Sequence, residues 1–240
     1  MKTIVLAAGY ATRLYPITEN TPKPLLLVRG VSILDRLMQD IDTIEEVDEH
    51  IVVCNHKFVD QFEDWKAHCG LRKPVRIIDD GSMTNETRLG AVRDLLLAIE
   101  KCNIDEDVLV LAADNILDFS FKGFVEYAKR VGTSCIMRHH EPETAKLQRT
   151  GVIRIDEEER VLEMQEKPEV PCSHWAVPPF YYYAKQDLPL IKESVANGCA
   201  ADAPGSLARY LLKKTVLHAW EMPGSRMDIG NLETYYRVKE

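Results

Sequence analysis

Short runs rich in Val, Ile and Leu alternate along the first half of the chain with stretches whose apolar positions recur every three or four residues. Residues 3–7, 50–54, 75–78 and 108–112 form the first kind, the pattern of strands buried on both faces. Residues 32–44, with Ser32 as the capping residue, 58–69, and about 89–101 form the second. In 58–69 the residues Phe58, Phe62 and Trp65 fall at helical spacing. This alternation predicts an α/β fold: a three-layer, Rossmann-like, mostly parallel sheet with helices on both faces. In such sheets ligands collect beyond the carboxyl ends of the strands.

The second half is less regular. Residues 134–138, 151–155, 160–166 and 176–183 read as strands joined by turns, which predicts an antiparallel extension of the sheet. Helices are predicted to return at 188–196, 206–213 and 232–238. The run Phe180-Tyr181-Tyr182-Tyr183 suits a central strand with rings on alternating faces. No repeat or low-complexity tract interrupts the chain, and 240 residues suit a single domain.

The formal net charge of −8 argues against a nucleic-acid surface, which needs an excess of Lys and Arg on one face. No apolar run approaches the about 20 residues of a membrane helix, so no membrane partner is expected. The six cysteines contain no C-x-x-C pair, and several sit in apolar runs, where Cys acts as a small hydrophobe. With no leader-like N-terminus, the expected location is cytoplasmic.

Against this acidic background one segment concentrates positive charge near a glycine. Leu6-Ala7-Ala8-Gly9-Tyr10-Ala11-Thr12-Arg13-Leu14-Tyr15-Pro16 leaves the first predicted strand, and Pro22-Lys23-Pro24-Leu25-Leu26 follows. A glycine-containing loop after a strand can turn backbone N–H groups toward a phosphate, and Arg13 and Lys23 can neutralise a polyphosphate. The segment lacks G-x-G-x-x-G and the Walker pattern, so neither a dinucleotide fold nor a P-loop is indicated. It resembles the signature of the sugar-phosphate nucleotidyltransferases, typified by glucose-1-phosphate thymidylyltransferase, which runs A-A-G-x-G-T-R-L-x-P-x-T…P-K-P-L. Ala11 stands where that family usually has its second glycine. A positive φ there would make the methyl costly, whereas a negative φ would make it harmless.

The resemblance implies a nucleotide-diphospho-sugar transferase fold, with a nucleotide-binding half at about 1–130 and a sugar-phosphate-binding half at about 131–240. It also implies roles for particular residues. Arg13 and Lys23 would be catalytic; Leu6, Ala8, Gly9, Asn85 and Gly90 would bind the nucleotide. Leu111-Ala112-Ala113-Asp114-Asn115 is similar to L-x-G-D-N, and Met227-Asp228-Ile229-Gly230 to D-x-G-T, so Asp114 and Asp228 would hold Mg2+. On position alone, Asp114 could equally end a strand and Asp228 merely precede a helix capped by Asn231. Glu166-Lys167-Pro168 is similar to the family's E-K-P, and Thr150-Gly151-Val152 contains its G-V, which places Gly151, Glu166 and Lys167 at the sugar phosphate.

The partners implied are a nucleoside triphosphate and a sugar 1-phosphate, joined with release of pyrophosphate. The family's G-T-A-G-A is reduced here to Thr87-Arg88-Leu89-Gly90-Ala91, which leaves the base open, and Pro178-Pro179 replaces the usual x-G near the sugar. Two alternatives stand beside this reading: a cytidylyltransferase acting on a phosphocholine-like or phosphonate acceptor, and a non-catalytic nucleotide-sensing subunit. With Glu240 following closely on the last predicted helix, no appended β-helix and no acyl transfer are expected. Apolar positions on the last helices are compatible with a homo-oligomer.

Overall fold

The computed structural model describes residues 1–239. The chain gathers into two compact units. The first contains Met1–Leu89, Leu111–Lys122 and Gly224–Glu240, and the second Gly90–Val110 and Gly123–Pro223.

In the first unit the strands Lys2–Leu6, Glu49–Cys54 and Val75–Asp79 run parallel, with Ile4 opposite Ile51 and Val52 opposite Ile77. Their side chains are almost wholly buried in the first two strands, as expected for apolar runs covered on both faces. The Ala7 N–H continues the ladder to the Val53 carbonyl at 2.8 Å, so the glycine loop leaves from the carboxyl end of the sheet. Ile33–Ile41 forms one covering helix. Ser32 caps it as the sequence indicates, its Oγ accepting from the Asp35 N–H at 2.9 Å. Helix 58–69 is narrower than expected: a single 3-10 turn, His56–Phe58, precedes the α-helix Val59–His68. Asn55 takes over the capping, since its Oδ1 accepts from the Phe58 N–H at 3.2 Å.

Two short antiparallel pairs complete this unit. Leu27–Val28 pairs with Val31–Ser32, and Asn115–Leu117 pairs with Arg226–Asp228. The latter pair was not anticipated from the sequence, because three-residue strands carrying Asn, Arg and Asp show no apolar alternation. Its register sets Asp228 opposite Asn115.

In the second unit Ser134–His140 is central, parallel to Leu217–Glu221 and antiparallel to Phe180–Tyr183 and Trp175–Val177. The single expected strand over 176–183 is therefore two strands. Pro178 and Pro179 separate them because proline has no N–H to give a ladder. Tyr181 and Tyr183 stack with centroids 5.9 Å apart. The expected hairpin between Gly151–Ile155 and Val161–Glu166 is present, with Glu166 opposite Gly151 and a register shift between Val161 and Glu163. The helices Ala91–Lys101, Leu188–Ala196 and Pro204–Leu211 pack in this unit. Lys122–Val131 and Leu217–Glu221 add a helix and a strand to those expected from the sequence.

Candidate functional site

The Leu6–Leu26 segment folds back over the carboxyl end of the parallel strands. Its first part is fastened by the Asn55 amide, which donates to the Ala8 carbonyl at 3.1 Å, and by Tyr10, whose hydroxyl lies 3.3 Å from Ser82 Oγ. Burial pushes the Tyr10 phenol above its ordinary pKa, so it stays neutral. Ala11 has φ 48° and ψ 42°, the left-handed region in which a Cβ is disfavoured. The Thr18 hydroxyl and the Leu14 N–H both donate to the Ala11 carbonyl at 2.9 Å, and its methyl packs against the cluster containing Leu14, Val28 and Ile229. The departure from the resembled motif therefore falls on the costly branch, held by these contacts.

Lys23 starts a 3-10 turn between two prolines, whose fixed φ angles stiffen the approach. The preceding loop is tied down where Lys57 Nζ donates to the Glu19 carbonyl at 2.5 Å and Gln61 Nε2 to the Asn20 carbonyl at 3.0 Å. Lys23 is only 7% exposed, and its ammonium lies 2.9 Å from Asp114 Oδ2 and 3.7 Å from Asp228 Oδ1. The ammonium is buried, whereas the Asp114 and Asp228 carboxylates are 38% and 52% exposed, so the paired charges open toward solvent on their acidic side. Asp228 arrives there because its strand pairs with Asn115–Leu117, and the Ile229 N–H donates to the Asp114 carbonyl at 3.3 Å.

A cavity of about 230 Å³ opens beside this triad. Leu6, Gly9, Arg13, Lys23, Asp114 and Gly230 line it. Arg13 is exposed toward solvent, the position of a cation free to meet a ligand. Of the nucleotide-site residues named from the sequence, Leu6 and Gly9 line this cavity, while the Ala8 carbonyl faces Asn55. Asn85 sits in an exposed turn, its carbonyl accepting from Arg88 Nη1 at 2.6 Å. Gly90 belongs to the second unit at the start of the Ala91–Lys101 helix, with φ 89°. A Cβ there would meet Asp202 Oδ1 at 2.6 Å, a close approach that requires glycine.

Two carboxylates beside a cavity lined by Arg13 and Lys23 suit a hard divalent cation. Magnesium takes one or two carboxylates and completes its shell with substrate oxygens and water. The ammonium already between Asp114 and Asp228 shows that the pair can converge on one positive centre. Among the described residues no cluster of three or more His, Cys, Asp or Glu could hold a metal alone. A divalent ion there would share its ligands with a bound phosphate.

In the second unit Glu166 lies against two glycines. Its Oε2 sits 3.7 Å from where a Cβ on Gly151 would stand, and a Cβ on Gly205 would overlap it. Gly205 was not singled out in the sequence, since a glycine after Pro204 at a helix start reads as a local backbone feature. Burial raises the Glu166 pKa, and the Lys167 charge opposes that rise. Lys167 itself has φ 48°, with its N–H donating to the Thr150 carbonyl at 3.0 Å. Arg29, Asn103 and Glu159 share such a positive φ, so the backbone conformation alone gives Lys167 no role.

Comparison with known proteins places these features in context. A family model described as nucleotidyl transferase matches residues 2–240. The chain is 25% identical over 230 residues to the bifunctional protein GlmU of Methanocaldococcus jannaschii, covering 96% of this chain and 51% of that protein. It is 24% identical over 242 residues to the UTP–glucose-1-phosphate uridylyltransferase AglF of Haloferax volcanii, covering 96% and 91%. The chain thus spans about half the length of the first relative and most of the second. Among solved structures, UDP-glucose pyrophosphorylase complexed with UDP-glucose superposes with a TM-score of 0.84 at 20% identity, covering 99% of this chain and 96% of that one. That likeness establishes the fold, which agrees with the α/β architecture expected from the sequence.

Proposed function

Because the chain belongs to the nucleotidyl transferase family, we propose that it joins a nucleoside triphosphate to a sugar 1-phosphate, giving a nucleotide-diphospho-sugar and pyrophosphate. The observation that carries this reading is the convergence of Lys23, Asp114 and Asp228 beside an Arg13-lined cavity. The uridylyltransferase named for AglF uses substrates of this class, which supports the assignment.

The chemistry asks little of a general base. A phosphate monoester has its second pKa at about 6, so the nucleophilic oxygen is ionised at neutral pH. The barrier is the repulsion between two polyanions, and positioning with charge neutralisation lowers it. In the proposed reaction an oxygen of the sugar phosphate attacks the α-phosphorus while the bond to the β-phosphate oxygen breaks. Arg13 offers a planar fork of donors to the departing pyrophosphate, and Lys23 neutralises the α-phosphate. Leu6 and Gly9 supply the wall against which the nucleotide lies. Asp114 and Asp228 would hold a divalent cation, which we assign as Mg2+ and which would neutralise phosphate charge when bound. Glu166, held between Gly151 and Gly205, would accept hydrogen bonds from sugar hydroxyls, and Lys167 would meet the sugar phosphate.

The test is a panel of nucleoside triphosphates against phosphorylated sugars, phosphocholine and a phosphonate, with pyrophosphate as the readout. Release with a sugar 1-phosphate in the presence of Mg2+ is expected. Release only with phosphocholine or a phosphonate would move the assignment to that acceptor class, and no release from any pair would remove the enzymatic reading.

A further inference from the structure

Arg226 faces the proposed metal-binding carboxylates without touching either of them. Its side chain shares a strand face with Asp228, two residues on, and the ladder that sets Asp228 opposite Asn115 sets Arg226 opposite Leu117. From there Arg226 Nη1 donates to Asn115 Oδ1 at 2.8 Å, and Asn115 Nδ2 donates to Asp114 Oδ1 at 2.7 Å. The other oxygen of Asp114, Oδ2, faces Lys23. The three-residue strand that delivers Asp228 to the ammonium therefore also delivers a guanidinium to the opposite side of Asp114.

We propose that Arg226 is a positioning residue for Asp114, acting through the Asn115 amide; this rests on the function assigned above. A guanidinium can only donate and an ionised carboxylate only accept, so the two charges fix both the orientation and the place of the amide between them. Asn115 is 2% exposed, so its amide depends chiefly on protein partners for its orientation. It also borders a second cavity of about 60 Å³ with Arg36, Leu37 and Phe121, so an unheld amide has room to turn away from Asp114. Arg226 is half-buried with its Nε enclosed, so the guanidinium is held against the protein and not free in solvent. Ligating carboxylates are ordinarily oriented by such outer hydrogen bonds. Here the holding group comes from a strand remote in sequence from Asp114.

The experiment compares wild type, Arg226→Met and Arg226→Lys in two readouts: binding of Mn2+ alone, by electron paramagnetic resonance, and the Mg2+ concentration giving half-maximal pyrophosphate release. Arg226→Met is expected to weaken Mn2+ binding and raise the Mg2+ midpoint by about tenfold or more, with KM for the nucleotide within about twofold. Arg226→Lys, which keeps a donor, recovers most of both. A merely structural role would lower the unfolding temperature of both variants and leave the metal midpoints in place, which would overturn the inference. So would a folded Arg226→Met with wild-type Mn2+ affinity. Wild-type protein that neither binds Mn2+ nor releases pyrophosphate overturns the assigned function, and this inference with it; a wild-type response that Arg226→Met shares overturns the inference alone.

Discussion

The Lys23 ammonium is 2.9 Å from Asp114 Oδ2, a contact between a residue in the amino-terminal loop and one just after the Val108–Ala112 strand. That pair, with Asp228 at 3.7 Å from the same ammonium, puts opposite charges around the point where a phosphate would be handled. Lys23→Ala should lower turnover by orders of magnitude, on the scale of about 2.7–4 kcal/mol for loss of one key electrostatic donor. Steady-state pyrophosphate release, with circular dichroism as a folding control, checks it. A folded variant with near wild-type turnover would take Lys23 out of the reaction.

Gly205→Ala should act on the acceptor alone. The added methyl overlaps the Glu166 carboxylate, which must then leave its place between the glycines. KM for the sugar 1-phosphate is expected to rise about tenfold or more, equivalent to at least about 1.4 kcal/mol, while KM for the nucleotide is retained. An unchanged sugar KM would detach Glu166 from sugar recognition.

Ala11 stores strain that glycine would relieve. A left-handed alanine costs roughly 1–2 kcal/mol, partly offset by the flexibility glycine adds to the unfolded chain. Ala11→Gly should therefore raise the urea midpoint modestly and Ala11→Val should lower it, since a β-branched residue tolerates positive φ least. The reverse order in urea titrations would show that methyl packing against the Leu14 cluster outweighs the backbone term.

One buried pair should contribute to the loss of stability in acid at two stages. Burial dominates at His50 and lowers its pKa, so the folded protein holds it neutral with its Nε2 3.2 Å from Asp42 Oδ1. Its contribution is full above the ordinary histidine pKa and is lost as pH falls through that value toward the lower folded one. At Asp42, burial pushes the pKa up, but hydrogen bonds from the Arg72 N–H, His50 and the Lys73 N–H outweigh it and bring it down to about 2. That contribution is present above the ordinary carboxylate range and disappears as pH drops to about 2. Urea midpoints from pH 8 to pH 3 should decline beginning near neutrality in wild type, and His50→Asn should remove the upper limb while a reduced lower limb persists through the Arg72 and Lys73 N–H donors to Asp42. An upper limb unchanged in His50→Asn would contradict the assignment to His50.

Much of this site was legible because its charges sit in the chain as anomalies. Arg13 and Lys23 are cations flanking a glycine loop in an acidic protein, and Asp114 ends an apolar strand where a ligand is expected. What joins them was not legible. The Arg226–Asp228 and Asn115–Leu117 strands are too short and too polar to register as strands, so the resemblance alone put Asp228 with Asp114, and the Arg226–Asn115 contact could not be read. The sign of φ at Ala11 depends on contacts with Thr18 and Leu14 and has no local signature in the residue itself. Gly205 became meaningful only when the fold set Glu166 beside it. Pro178-Pro179 was visible as a breaker, yet the apolar and aromatic residues on either side read as one strand because each half is too short to declare itself.

The attack of a sugar phosphate oxygen on the α-phosphorus is tested most directly by isotope transfer. Sugar 1-phosphate carrying ¹⁸O in its phosphate, incubated with unlabelled nucleoside triphosphate and Mg2+, should place all the label in the nucleotide-diphospho-sugar and none in pyrophosphate, as read by mass spectrometry. Label in pyrophosphate, or a nucleoside monophosphate as the sole nucleotide product, would contradict transfer at this centre.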